Sequence, residues 1–384
     1  MRLLTFAYNT QQQFTRYFTR PVSATRFLQR EETYDRDVYG VGANLNGQWR
    51  FADMPVNYVI GIEAFKETTE YQFFDGLNNR IRVNPALDDR ESDIDSRSAF
   101  GEATVRLHRL LDVSLGARYD RFTGQCKRLG PEAGTNPCET LEVIDNLSPK
   151  LGVKSQVTHW LQLRGSYSEG FAIPGGFTKY APGVQSLKPV DIQQTEFGVL
   201  LNPLEDVQLD VVGYRIKSSE EIITISPGVF ENFGATLRTG VEASARWVAS
   251  DAFELSAVYG SAHSRINKNN NPALLGKSVT GVPEQTATLN ALWRPIEALS
   301  LDATWRYIGE AWMDSGNTRA SASYNTLDVG AAYTLKARTP TRLYVNIDNI
   351  TDRRYATATG LSFGSEFLTP GAPRAVRVGV QVGF

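Results

Sequence analysis

Strict alternation of apolar and other residues is the feature that most limits how this chain can fold. In the closing stretch, PRAVRVGVQVGF, positions 376, 378, 380, 382 and 384 are apolar, while Arg, Gly and Gln occupy the positions between them. Successive side chains of a β-strand point to opposite faces, so this stretch predicts a strand with one apolar and one polar face.

The same alternation recurs along nearly the whole chain. Clear examples are VGANLNGQW (41–49), DVSLGARYD (112–120), WLQLRGSY (160–167), LSLDATWRY (299–307), NTLDVGAAYTL (325–335) and TRLYVNID (341–348). No comparable stretch has the 3.6-residue period of an amphipathic helix, and no apolar run approaches the roughly 18 residues of a membrane-spanning helix. The fold class predicted from this pattern is all-β.

Short and long connections alternate between the predicted strands. The short ones contain residues 52–55, 202–206, 249–252 and 294–298, and the long ones lie near 75–96, 123–146, 172–190, 267–275, 315–323 and 356–371. This rhythm predicts an antiparallel meander of about sixteen strands, with tight turns at one end and large loops at the other. Bacterial outer-membrane β-barrels have this asymmetry.

The two faces favour a barrel in lipid over a soluble protein. The polar face carries charged groups, expected to point into the lumen, and six aromatic residues near predicted turns are placed where an interfacial girdle belongs. A soluble propeller is the alternative, but no blade-length repeat is visible. Near-neutral charge, with 40 basic and 42 acidic residues, argues against nucleic-acid binding. The inward set includes Glu63, Arg106, Arg118, Asp302 and Arg306, and the girdle set is Trp49, Tyr58, Trp160, Trp247, Trp293 and Trp305.

Candidate metal or catalytic groups are sparse. The two cysteines, Cys126 and Cys138, lie close together in a Gly- and Pro-rich segment, which favours a loop-tying disulfide and an oxidising compartment over two free thiols. The three histidines are isolated from one another. The acidic run DDRESDID (88–95) is interpreted as a solvated loop face rather than a metal site.

Several longer stretches together resemble the barrel portion of TonB-dependent outer-membrane receptors, from about residue 37 to 384. They are LSPKLGVKSQVTHWLQLRGSYSEGFAIPGGF (147–177), LKPVDIQQTEFGVLLNP (187–203), NFGATLRTGVEASARW (232–247), YVNIDNITDRRYAT (344–357) and PGAPRAVRVGVQVGF (370–384). In one landmark the family usually has Glu where this chain has Val190. The terminal Phe384 resembles the signal that the outer-membrane assembly machinery recognises.

The resemblance is incomplete. Barrels of this family have 22 strands and a plug, whereas about sixteen strands are countable here and nothing resembles the plug domain. We therefore expect a C-terminal barrel fragment, with residues 1–36 as an irregular start that includes partial barrel strands and residues 37–384 as the barrel.

The resemblance implies a function for the intact protein. Such receptors sit in the bacterial outer membrane, bind siderophore-type iron chelates and import them with energy from a TonB-type partner, without a resident cofactor. Aromatic and cationic loop residues suit an anionic, ring-bearing ferric chelate. The candidate substrate-binding residues are Phe171, Phe177, Lys179, Tyr180, Trp312 and Arg319.

Two other functional classes remain open on the sequence. A passive porin-like channel would need no plug, and uptake with and without the energy-coupling partner distinguishes it from a receptor. A membrane-barrel enzyme would need a nucleophile beside a base, and no such arrangement is recognisable. We therefore expect a transporter rather than an enzyme.

Overall fold

The computed structural model describes residues 1–21, 27–77, 80–130, 138, 141–174, 187–226, 229–335, 339–362 and 365–383. These residues are almost entirely β-structure, apart from connections and one short 3₁₀ turn at Pro272–Leu274. The described residues contain no helix with the length and apolar character needed to cross a membrane.

The described residues form twenty strands. They are β1 (Arg2–Pro21), β2 (Phe27–Phe51), β3 (Met54–Leu77), β4 (Ile81–His108), β5 (Leu111–Arg128), β6 (Leu141–Gln156), β7 (Leu161–Ala172), β8 (Val190–Leu204), β9 (Val207–Ser226), β10 (Val229–Ser250), β11 (Phe253–Lys268), β12 (Gln285–Ile296), β13 (Leu299–Ile308), β14 (Ala311–Trp312), β15 (Ala320–Ser321), β16 (Tyr324–Leu335), β17 (Thr341–Asp348), β18 (Ala356–Ser362), β19 (Ser365–Pro370) and β20 (Ala375–Val382).

Sixteen of these strands form one sheet in the order β1 to β13, β16, β17, β20, which confirms the predicted strand number. The other four make two small hairpins, β14–β15 and β18–β19, inserted in the connections that follow β13 and β17. All predicted short connections are tight turns in the structure. The turn between β2 and β3 is formed by Ala52 and Asp53, both at positive φ.

The chain comprises two compact units. The first contains residues 1–152, 168–193 and 218–234, and the second contains residues 153–167, 194–217 and 235–384.

The register of β17 and β20, in the second unit, separates an apolar from a polar face. Val378 lies opposite Val345, whereas Gln381 lies opposite Arg342. Val378 is 78% exposed, as expected for a side chain that faces lipid rather than protein. The alternation in the sequence thus becomes two continuous faces, because directly opposed residues share one side of an antiparallel pair.

In the first unit the polar face is built from cross-strand ion pairs. The Arg118 guanidinium donates to Glu63 at 3.0 Å and to Asp120 at 2.9 Å, and the hydroxyl of Ser98 donates to Asp120 at 2.5 Å. Asp120 is buried. Charged groups on this face therefore satisfy one another across β3, β4 and β5.

Beyond these ion pairs, the same face carries an apolar cluster. Ile94, Leu141 and Ile144 form its buried centre, and Phe65 and Phe122 pack against it with Cys126 and Ile173. Burial of this apolar surface stabilises the part of the first unit near the long connections.

The acidic run at 88–95 corrects a prediction. We expected a solvated loop face, but these residues lie within β4. Asp88 and Arg90 are 1% and 0% exposed and form a salt bridge with each other. The sequence misled because six of these eight residues are charged and only Ile94 is apolar, so the period-two pattern had almost no hydrophobic signal.

The start of the chain is also more regular than expected. β1 pairs with β2 over its full length without a register shift, so residues 1–36 contain the whole of β1 and the first part of β2. Phe6 lies opposite Gly42 and Tyr8 lies opposite Gly40, and each ring covers the space where a Cβ would stand on its partner. Rings that shield glycines in this way help to hold the register.

Candidate ligand-binding cleft

Two small hairpins of the second unit border an open cleft of about 720 Å³. One is β14–β15 and the other is β18–β19, and both belong to long connections. The side chains that give the cleft its chemistry are Met313, Arg319, Tyr324, Arg353, Arg354, Tyr355, Glu366 and Leu368.

Asp314 organises the connection between β14 and β15. Its carboxylate accepts hydrogen bonds from the backbone N–H of Thr318 at 2.9 Å and of Arg319 at 2.8 Å, and from the Thr318 hydroxyl at 3.1 Å. Desolvation would raise the pKa of Asp314, but these donors outweigh it and the pKa lies below its usual value. The carboxylate therefore stays charged and fixes the backbone that carries Arg319.

Arg319 reaches from the first hairpin to the second. Its guanidinium forms a salt bridge of 2.7 Å with Glu366 on β19. Both side chains are about half exposed, so the pair contributes little to stability. The salt bridge does set the position of the Arg319 guanidinium at the cleft.

Asn349 fixes the segment that supplies the other cations. Its side-chain amide donates to the carbonyls of Arg353 at 2.9 Å and Ala372 at 3.1 Å, and its side-chain oxygen accepts from the Arg353 N–H at 2.9 Å. Asn349 is buried and has a φ of 47°, a left-handed conformation that Asn tolerates better than most residues. The Asn349 side chain thus connects the start of the loop from 349 to 355 with Arg353 and with Ala372.

Arg353 and Arg354 are exposed at the cleft, and neither guanidinium forms an ion pair with any residue of the described part of the chain. Beside them the rings of Tyr324 and Tyr355 stack at a centroid distance of 4.5 Å. With three arginines and one carboxylate, the cleft has surplus positive charge next to an aromatic surface. Such a site can hold an anionic group that also bears rings.

The structure does not bring the predicted binding residues together at one site. Arg319 lines the cleft. Trp312 lies on the neighbouring hairpin, opposite Ala320, but is not among the lining residues. Phe171 belongs to the first unit, where its ring packs edge-on against Phe122 at 5.8 Å. The other residues predicted from the sequence lie outside the described residues; they are Phe177, Lys179, Tyr180 and the terminal Phe384.

Sequence reasoning missed most of the cleft. Arg353, Arg354 and Tyr355 are adjacent in the stretch DRRY, which is a visible signal for a cationic and aromatic loop. Tyr324 and Glu366 carry no such signal, because only the fold of the two hairpins brings them to the cleft.

The two cysteines form a disulfide in the first unit, with Cα atoms 5.0 Å apart. Cys126, on β5, also packs against the apolar cluster centred on Ile94. The bridge therefore ties the connection after β5 to a buried part of the sheet. No group of three or more His, Cys, Asp or Glu side chains among the described residues could hold a metal ion.

The sequence of this chain is similar to those of known proteins. A model of the family described as TonB dependent receptor-like, beta-barrel, matches residues 2–350. A probable TonB-dependent siderophore receptor, PiuA, of Acinetobacter baumannii is 25% identical over 86% of this chain and 45% of that protein. The ferrioxamine receptor of Yersinia enterocolitica is 26% identical over 52% of this chain and 28% of its own length. The chain thus spans less than half the length of these curated relatives.

Solved structures share the fold at low sequence identity. The unliganded ferric citrate transporter FecA superposes with a TM-score of 0.84 at 14% identity, covering 99% of this chain and 58% of that one. The siderophore receptor PiuA from Acinetobacter baumannii superposes with a TM-score of 0.79 at 17% identity, covering 98% of this chain and 64% of that one.

Proposed function

This chain belongs to the TonB-dependent receptor-like β-barrel family, and we propose that it serves as part of a receptor that binds and imports an iron chelate. The family consists of bacterial outer-membrane transporters rather than enzymes. The observation that carries the proposal is the cleft between the two hairpins, where arginines without an ion-pair partner among the described residues adjoin stacked tyrosines.

The charge of the cleft favours an anionic ligand. Arg319 is balanced by Glu366, whereas the guanidinium groups of Arg353 and Arg354 form no ion pair with the described residues. A ferric chelate with carboxylate or catecholate groups supplies both the negative charge and, in the catecholate case, rings that can stack beside Tyr324 and Tyr355. The named relatives include a ferric citrate transporter and ferrioxamine receptors. Among such ligands, the cleft fits an anionic chelate better than a neutral or cationic one.

Import would require energy, because a barrel wide enough for a chelate cannot drive uptake against a gradient by itself. We propose that the intact protein obtains this energy from a TonB-type partner. It would do so through a portion of the protein other than the strands described here. Phe171, Phe177, Lys179, Tyr180 and Trp312 remain proposed contacts of the chelate.

Binding can be tested with the folded chain in neutral detergent by titration calorimetry. The probes are ferric citrate, a ferric catecholate and ferrioxamine B. We expect the anionic chelates to bind more tightly than ferrioxamine B, and Arg353→Gln combined with Arg354→Gln to weaken their binding about tenfold or more. The matched control is Arg342→Gln, which removes an arginine from the polar face of β17 and does not line the cleft. Equal weakening by the control, or no binding of any iron chelate, would contradict the proposal.

Transport needs a separate test in cells that carry the intact gene. Uptake of radioactive iron as the chelate should stop when the energy-transducing partner is deleted. Uptake that continues unchanged and does not saturate would instead support a passive channel.

A further inference from the structure

The apolar face of the first unit ends at a pair of arginines. On β3, β4 and β5 this face carries Ile62, Ala99 and Tyr119 in one directly opposed row. In the next row toward the long connections, Arg97 lies directly opposite Arg121. Both side chains are exposed.

These two arginines lie on the opposite side of the sheet from the polar face. The polar face holds Ser98 opposite Asp120, one residue away on each strand. Because side chains alternate along a strand, Arg97 and Arg121 share their face with the exposed apolar residues. Those apolar neighbours include Ile60, Ile62 and Leu115.

The position of the pair matches one edge of a membrane. Arg121 lies about ten residues beyond the turn at 109–110, and a strand needs roughly 9–11 residues to cross a bilayer. Tyr119 lies one row closer to that turn, where an interfacial aromatic residue belongs. The pair is therefore at the level of lipid headgroups, on the side of the long connections.

The charge of the pair is only partly balanced within the protein. Like charges placed directly opposite each other on adjacent strands are destabilising. Asp145 is 3.5 Å from the Arg121 guanidinium and accepts a hydrogen bond of 2.5 Å from the Tyr119 hydroxyl. Arg97 forms no ion pair with the described residues. Two arginines thus face one carboxylate, and one positive charge is left over.

The rows farther from the membrane carry charges of both signs. Lys66 lies opposite Asp95, and its ammonium is 3.9 Å from the carboxylate of Asp93. On the other side of Arg97, its opposed partner is the small Ala64. A ligand can approach the two guanidinium groups over this low part of the surface.

We propose that Arg97 and Arg121 bind the phosphate of a membrane-lipid headgroup. Two guanidinium groups on adjacent strands present planar donors suited to phosphate oxygens. The lipid chains of the same molecule would lie on the apolar rows below, beside Ile62 and Tyr119. This site is on the membrane-facing surface and is independent of the chelate cleft.

The test measures lipid selectivity in the folded protein. Reconstituted protein is titrated with spin-labelled phosphatidic acid and spin-labelled phosphatidylcholine in phosphatidylcholine vesicles, and the fraction of motionally restricted lipid is read by electron spin resonance. We expect preference for phosphatidic acid, and a fall of about fivefold in its relative association constant for each arginine removed in Arg97→Gln and Arg121→Gln. Arg97→Lys combined with Arg121→Lys should retain most of the preference, because the charges remain.

Two controls decide the interpretation. Arg342→Gln removes one arginine from the polar face and should leave lipid selectivity unchanged, and a β-sheet circular dichroism spectrum verifies folding of each variant. Unchanged selectivity in the double glutamine variant overturns the proposal. Full displacement of the labelled phosphatidic acid by inorganic phosphate also overturns it, because the site would then take free phosphate rather than lipid.

Discussion

The phenol ring of Tyr344 on β17 covers Gly379, the residue directly opposite it on β20. A Cβ at position 379 would stand 2.3 Å from the Tyr344 hydroxyl oxygen and 2.4 Å from Cζ. The same relationship joins Phe6 with Gly42 and Phe100 with Gly61. Glycines on the polar face are thus partners of aromatic rings, and each ring shields backbone that would otherwise be open to water.

Replacing Gly379 tests this pairing. Gly379→Ala should lower the free energy of unfolding by about 1 kcal/mol, the upper range for a cross-strand pair, because the ring must leave its place. In a Tyr344→Ala background the same change should have a smaller effect. A double-mutant cycle from urea unfolding in detergent measures the coupling.

Gly240 provides a contrast in the same unit. There an added Cβ would stand 2.1 Å from the backbone oxygen of Ser261, which cannot swing away as a ring can. Gly240→Ala should therefore destabilise the fold more than Gly379→Ala does. Equal effects at the two positions would count against the steric explanation.

Charge substitutions in β20 should report which face meets lipid. Val378→Arg places a charge on the apolar face and should cost roughly 2–4 kcal/mol if it lies near the bilayer midplane. Gln381→Arg should cost less, up to about 1 kcal/mol, because it lies on the polar face but opposite Arg342. Folding into lipid vesicles, followed by tryptophan fluorescence, measures both, and equal damage would refute the assignment of the faces.

The disulfide should be required for a firmly held loop. Intact protein should contain no free thiol until it is reduced, and Cys126→Ser with Cys138→Ser should lower the unfolding free energy by roughly 2–3 kcal/mol. Thiol titration and protease cleavage between residues 129 and 140 are the measurements. Resistance of this segment to the protease after reduction would show that the apolar cluster alone holds the connection.

The hydrogen bonds accepted by Asp314 should control chelate binding at the cleft, because they hold the backbone of Arg319. Asp314→Ala removes the acceptor for the N–H groups of Thr318 and Arg319 and should weaken chelate binding, whereas Asp314→Asn keeps one acceptor oxygen and should be milder. Because the pKa of Asp314 is lowered in the folded protein, its contribution is present above the ordinary pKa of a carboxyl and is lost only as the pH falls through the lower folded value.

Chelate affinity should accordingly be insensitive to this group between pH 5 and 8, a range above the usual carboxyl pKa of about 3.9. Calorimetric titrations across that range provide the check. A steep loss of affinity that disappears in Asp314→Asn would contradict the lowered pKa.

Much of the architecture follows from local pattern alone. Period-two alternation is a property of single strands, so it predicted the all-β class, the two faces and the number of strands in the main sheet without knowledge of neighbours. Turns such as 297–298 were visible because Pro295, near the end of β12, and Glu297 and Ala298, in the turn to β13, interrupt that pattern.

Local pattern failed where polar strands continue past the apolar band. Residues 88–95 were interpreted as loop because strands were recognised by apolar residues, and this part of β4 is mostly charged on both faces. Burial of Asp88 and Arg90 depends on a covered polar face and on pairing between charges. Neither condition can be seen in one strand.

Only the tertiary structure decided which residues meet. Register sets Arg97 opposite Arg121 and Tyr344 opposite Gly379, and a shift of one residue would exchange the two faces. The cleft likewise joins Arg319 with Glu366, which are far apart in sequence and come together through two separate hairpins. The sequence by itself therefore determined what each strand looks like, while hydrogen-bonded pairing between strands determined the sites, because a site depends on neighbours that alternation does not specify.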